Sequence, residues 1–225
     1  FYANTQYYLK NTGQLIPAVG VTPDSGATDG RFLGTPGADI GVERAWDITT
    51  GDPNQIVAII DTGLDITHPD LAANIWTNPG EVAGDGIDND GNGYVDDVNG
   101  YDFSEDDADL LDFNGHGTAV AGNVAAVGNN SRGVAGVAYS TKMMGVKVFP
   151  DVELFTKTDA ILLGINYVTE MKRAGTNIVV ANASLGGFDL LFDPVYFVAI
   201  RRLTQSGGVF VTAAGNDATN VDTRF

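Results

Sequence analysis

The chain of 225 residues carries 29 acidic and 12 basic side chains, a net charge of −17 at neutral pH, and no cysteine. Disulfide frameworks, thiol nucleophiles and cysteine-ligated zinc are thereby excluded. A field of this sign disfavours nucleic acid and anionic membranes and favours hard cations.

In chain order, position 1 is Phe with no visible leader peptide, so the start reads as a processed or trimmed end. Residues 1–38, rich in Gly, Thr, Asn and Pro, read as an arm over a core, and residues 39–225 as the main domain. Helical spacing over Ala38–Ile48 (Ile40, Val42, Ala45, Trp46) ends at Gly51-Asp52-Pro53. Ile56–Ile60 is a continuous apolar run dominated by β-branched residues, which suits a strand buried on both faces of a parallel sheet. Similar runs recur at Met143–Phe149, Asn177–Ala183 and Gly208–Ala213. Helical patterns at His116–Val127, Thr158–Arg173 and Pro194–Gln205 lie between them. Strands alternating with helices predict an α/β fold with a doubly wound, mostly parallel sheet. No apolar run approaches the roughly 18 residues of a membrane span.

The charge is placed unevenly. Between Arg44 and Arg132 there are seventeen Asp and Glu residues and no Lys or Arg, so the whole excess sits in one segment. Within it, Asp88-Asn89-Asp90-Gly91-Asn92-Gly93-Tyr94-Val95-Asp96 fits the opening of the EF-hand pattern. Side-chain oxygens of Asp88, Asp90 and Asn92 fall at positions 1, 3 and 5, the Tyr94 carbonyl at 7 and Asp96 at 9. Position 12 is Asn99 rather than Glu, so Asp97 or Asp85 would supply the missing carboxylate. A solvated acidic turn is the competing reading. Magnesium fits less well, because it prefers fewer carboxylates and more water.

Two residues look catalytic. Asp61 closes the first buried strand, and Thr62-Gly63 turns the chain away; in open α/β sheets, functional groups collect at the carboxyl ends of strands. Alone, such an Asp is equally a turn former. His116 sits between Gly115 and Gly117 at the start of a small-residue helix, exposed to a substrate and placed to act as a general base. His68 precedes Pro69 in a loop and reads as structural.

These segments form a set. Ile59-Ile60-Asp61-Thr62-Gly63 with His68-Pro69-Asp70-Leu71 resembles the Asp block of the subtilisin-like serine proteases. Asn114–Gly122 resembles their His block, Ala183-Ser184-Leu185-Gly186-Gly187 their cleft segment, and Val209–Asn216 their oxyanion segment, in family order. The resemblance implies a subtilisin-like fold and a secreted, calcium-stabilised endopeptidase that cleaves peptide or protein substrates. By that resemblance Asp61 orients His116, Asn216 donates to the oxyanion, and Ser184, Leu185, Gly186 and Gly187 border the substrate. It also implies a second calcium site at Asp70 and Asn130.

The family continues with a Gly-Thr-Ser-Met-Ala-like motif on a long helix, and no such motif occurs in these 225 residues. The expectation is therefore the N-terminal part of a longer protease, truncated before its serine-bearing helix and inactive alone. A propeptide or the missing C-terminal segment is the expected partner. The alternatives are a non-catalytic calcium-binding module and a peptide-binding module on the same sheet.

Overall fold

The structure is a computed structural model that describes residues 6–17, 31–152, 155–186 and 194–216. Its centre is a five-stranded sheet made of β3 (Ile56–Asp61), β4 (Gly100–Asp102), β5 (Lys142–Lys147), β6 (Ile178–Ala183) and β7 (Val209–Thr212). The spatial order is β4-β5-β3-β6-β7, and every neighbouring pair is parallel. A separate antiparallel ribbon joins β1 (Leu15–Pro17) to β2 (Arg31–Leu33).

β3 is central and buried along its whole length, as its run of apolar residues requires. Its alternating side chains feed two cores. Ile56, Ala58 and Ile60 pack with Met144 and Val146 of β5, and with Val148 just beyond it, against α3 (Thr158–Arg173) and α4 (Pro194–Gln205). Val57, Ile59 and Met143 face α2 (His116–Ala125), whose Ala121 and Ala125 are fully covered. Helices thus cover both faces, which is the doubly wound arrangement. The small residues of α2 let its axis lie close to the strands.

The predicted boundaries of α3 and α4 coincide with the observed ones, whereas the first helix is shorter than its periodicity predicts. α1 spans only Val42–Trp46. The Asp39 carboxylate accepts the amides of Gly41 and Asn11, and Gly41 adopts φ 67°, so a regular turn cannot begin before Val42. The described part of the arm docks nearby. Gln6 exchanges hydrogen bonds with the backbone of Ala135, and Leu9 packs with Val42 and Ala135. Among the described residues, no helix is long and apolar enough to cross a membrane.

Candidate active site

The sheet delivers Asp61 at the carboxyl end of its central strand, and α2 begins with His116 on the same side of the sheet. His116 Nδ1 lies 2.6 Å from Asp61 Oδ1. The carboxylate is 1% exposed and the imidazole 51%, so the acid is sealed behind the ring while the ring's outer edge meets solvent. Asp61 Oδ1 also accepts the Thr62 amide at 2.8 Å, whereas Oδ2 has no donor among the described residues. A buried carboxylate with this partner holds one imidazole tautomer, leaving the other ring nitrogen to act as a base.

Three backbone segments interlock around this pair. A Cβ at Gly117 would collide with the Gly63 carbonyl oxygen and press on Asp61 Cβ, so residue 117 must be glycine for α2 to approach β3 this closely. Leu64 N–H donates to the Leu110 carbonyl at 2.8 Å. Asp112 then gathers four donors: Thr62 Oγ1 and the Gly115 amide on Oδ1, the Thr118 amide and Thr118 Oγ1 on Oδ2, all at 2.7–2.9 Å. Burial pushes the Asp112 carboxyl up, but the bonds from Thr118, Gly115 and Thr62 outweigh it and hold the group below its ordinary value. Sequence reasoning passes over Asp112, which sits in an acidic run like its neighbours.

Beside the pair, a cavity of about 190 Å³ is lined by Thr62, Phe113, Asn114, Phe149, Asp151 and Val152. Its wall is anchored by Lys147, which is 2% exposed and lies 2.9 Å from Asp102 and 2.5 Å from Asp151. Burial lowers the Lys147 proton affinity, and the two carboxylates more than restore it. Neither Lys147 nor its partners stand out in the sequence.

The expected substrate and oxyanion segments emerge side by side, because β6 and β7 pair in parallel with Ala183 opposite Thr212. Ser184 and Leu185 are half-buried, Gly186 and Asn216 exposed, and Leu185 packs against the core. Thr212 Oγ1 reaches the Leu185 carbonyl at 3.4 Å. Gly187 falls outside the described residues.

The acidic loop is laced by its own hydrogen bonds. Asp88 accepts the amides of Gly91, Asn92 and Gly93, and Asp96 those of Gly84, Asp85 and Gly86. Both carboxylates thus bind backbone, because the glycines at positive φ turn their amides inward. Asn92 accepts the Tyr94 amide and donates to Asp90 and Asp97. Of the expected ligand series only Asp90 joins a carboxylate cluster, where oxygens of Glu81, Asp90 and Asp97 lie within 4.8 Å of one another. Asp97 is fully buried, and burial raises its carboxyl above the ordinary value against hydrogen bonds from Tyr167, Asn92 and Asn78. Glu81 Oε2 is buried without a donor among the described residues. Of the two expected stand-ins, Asp97 lies in this cluster, whereas Asp85 accepts the Ile87 amide and Asn89 Nδ2; Glu81, outside the motif, carries no sequence signal.

The residues of the second expected cation site meet in the fold. Asp70 accepts Asn130 Nδ2 at 2.6 Å and the Val134 amide at 2.8 Å, while Asn130 Oδ1 accepts the Arg132 amide. Asn130 therefore presents a donor, not an oxygen, to Asp70. His68 Nδ1 accepts the Asp70 amide, in keeping with a structural role.

Residues 52–224 match the model of the subtilase family. The chain is 35% identical over 161 residues to subtilisin-like protease 1 of Plasmodium berghei, covering 71% of this chain and 26% of that protein. It is 35% identical over 217 residues to an extracellular protease of Xanthomonas campestris, covering 92% of this chain and 37% of that protein. The solved structure of a protease from Pseudoalteromonas arctica aligns at 32% identity with a TM-score of 0.57, covering 80% of this chain and 54% of that one. This chain thus spans between about a quarter and about half the length of these relatives.

Proposed function

This chain belongs to the subtilase family, and from that premise we propose that it supplies the acid and base of a secreted, serine-dependent endopeptidase. The observation that carries the reading is the 2.6 Å contact between the sealed carboxylate of Asp61 and the half-exposed imidazole of His116. In this reading, a serine from a segment outside these 225 residues completes the triad, and this sequence alone does not hydrolyse peptides. His116 takes the serine proton through the nitrogen opposite Asp61. Asp61 fixes the tautomer and stabilises the imidazolium that forms. Asn216 donates to the tetrahedral oxyanion, a contribution of about 3 kcal/mol to the transition state. Ser184, Leu185 and Gly186 border an extended peptide bound as an added strand. The supporting facts are the parallel exit of β6 and β7 and the exposure of Asn216. A propeptide or C-terminal segment is the partner this reading requires.

Calcium belongs to the same proposal. Hard carboxylate oxygens, a buried Glu81 oxygen without a donor and a buried Asp97 fit that ion. Glu81, Asp90 and Asp97 would hold it, while Asp88 and Asp96 shape the loop. Bound calcium supplies charge compensation and rigidity, not chemistry. Asp70 and Asn130, which meet in the fold, belong to the same proposal as a second, weaker site.

The test is peptide hydrolysis by the serine-bearing form of this protein. The expected result is covalent labelling by a fluorophosphonate and turnover that falls at least roughly 10³-fold in His116→Ala. A serine-bearing form that takes no label, or a His116→Ala variant as fast as the parent, overturns the reading.

A further inference from the structure

We propose that Asp112 is a positioning residue for the general base: its carboxylate fixes the direction of two hydroxyl groups, Thr62 and Thr118, and through them clamps the His116 loop to the Asp61 turn. The inference rests on the catalytic reading of Asp61 and His116 given above.

The argument is one of donor direction. Thr62 Oγ1 accepts the Gly117 amide at 2.9 Å and donates to Asp112 Oδ1 at 2.8 Å. Thr118 Oγ1 accepts the Asp65 amide at 3.0 Å and donates to Asp112 Oδ2 at 2.7 Å. A hydroxyl has a single proton and rotates freely, so it offers a lone pair to an amide reliably only when its proton is committed elsewhere. Asp112 is an acceptor-only group for both protons. One hydroxyl belongs to the residue after Asp61, and its amide partner belongs to the residue after His116. The other hydroxyl is on α2, and its amide partner is on the Asp61 turn. The two bonds therefore cross the gap between the catalytic segments in opposite directions, with one carboxylate orienting both.

The same carboxylate completes the start of the helix. The first amides of an α-helix have no partner inside it, and the residue before His116, Gly115, has φ 84° and no side-chain cap. Asp112 accepts the Gly115 and Thr118 amides from three and six residues back. Because α2 begins at His116, whatever pins its first turn also sets where the imidazole stands relative to Asp61. An anion here is favoured by the helix dipole as well. The carboxyl held below its ordinary value agrees with an ionised acceptor.

Asp112→Asn is the informative variant because it is nearly isosteric. Its amide oxygen can serve Thr62 and Gly115, but its NH₂ group then faces the Thr118 amide, donor against donor. Turning the side chain over moves the same conflict to Gly115. The first readout needs no turnover: the low-field proton resonance of His116 Nδ1–H bonded to Asp61, and the exchange rates of the Gly117 and Asp65 amides, in this 225-residue chain. In Asp112→Asn the resonance is expected to broaden or disappear and the two amides to exchange at least tenfold faster, with the far-ultraviolet circular dichroism retained. In the serine-bearing form, kcat is expected to fall roughly 100-fold with KM within about threefold, the scale of a small misplacement of a catalytic group. Should Asp112→Asn not fold, Thr118→Val and Thr118→Ser separate the cases: Ser keeps the oriented hydroxyl and kcat, Val loses both.

A wild-type chain without the low-field resonance, an Asp112→Asn chain that keeps it, or Thr118→Val equal to Thr118→Ser would each overturn the proposal. If the resonance responds as expected while the serine-bearing form hydrolyses no peptide, the clamp stands and the protease reading fails.

Discussion

Two regions of this molecule are built from aspartates and solve opposite problems. Around His116 the carboxylates are held by donors of their own chain, Asp112 by four groups and Asp61 by Thr62 and the imidazole on Oδ1, with Asp61 Oδ2 alone left without a donor among the described residues. In the loop running from Asn78 to Asp97, carboxylates still outnumber the cations, since no Lys or Arg lies between Arg44 and Arg132. Amides there satisfy Asp88 and Asp96, but Glu81, Asp90 and Asp97 converge with charge left over. The difference teaches that hydrogen bonding alone can complete a negative site only when acceptors and donors balance in number. Where they do not, carboxylate oxygens are left facing one another, and that surplus is what the calcium proposal rests on.

The contrast breaks most visibly on calcium. Chelation is expected to destabilise the loop and leave the Asp61–His116 bond in place; an ion at a hundredfold over its Kd contributes about 2.7 kcal/mol. For a domain of this size that is roughly 5–10 °C in melting temperature. Asp97→Asn should remove the calcium response, as read by calorimetry with and without the ion. A calcium response unchanged in Asp97→Asn would place the ion elsewhere.

A smaller effect sharpens the other side. Gly117→Ala puts a methyl against the Gly63 carbonyl oxygen and Asp61 Cβ, where neither neighbour is a flexible side-chain end. A loss of about 1–3 kcal/mol is expected, measured by urea unfolding, and calcium should not rescue it. The smallest effect is in pH. A carboxyl whose folded value lies below its ordinary one adds stability that is fully present above 3.8 and is lost as pH falls through the depressed value. The direct hydrogen-bond partners of Asp112 are neutral. The stability gap between wild type and Asp112→Asn should therefore close in acid and stay constant from pH 5 upward, as followed by thermal melts; a gap that persists in acid would mean the variant acts by shape alone.

Much of this was readable before any coordinates. The short apolar runs suit buried strands, and α3 and α4 announce themselves by periodicity. β4 did not, because Gly100-Tyr101-Asp102 is too short to show a period and earns its place by pairing with β5. Asp61 and His116 were legible because turns and glycines frame them. Asp112 was not, because what distinguishes it from nearby Asp106, Asp107 and Asp109 is where two threonine hydroxyls point. Glu81 was not legible either, because spacing gives the order of oxygens within the motif but not which residue outside it the fold brings to Asp90 and Asp97.

The Asn78 amide donates to the Val98 carbonyl at 2.7 Å, so the acidic loop leaves and re-enters the fold at one point. A segment with touching ends can be lengthened, emptied of its acids or exchanged without pulling on the strands beside it. The loop is in that sense a cartridge: it can be exchanged while the Asp61–His116 contact remains where β3 and α2 put it.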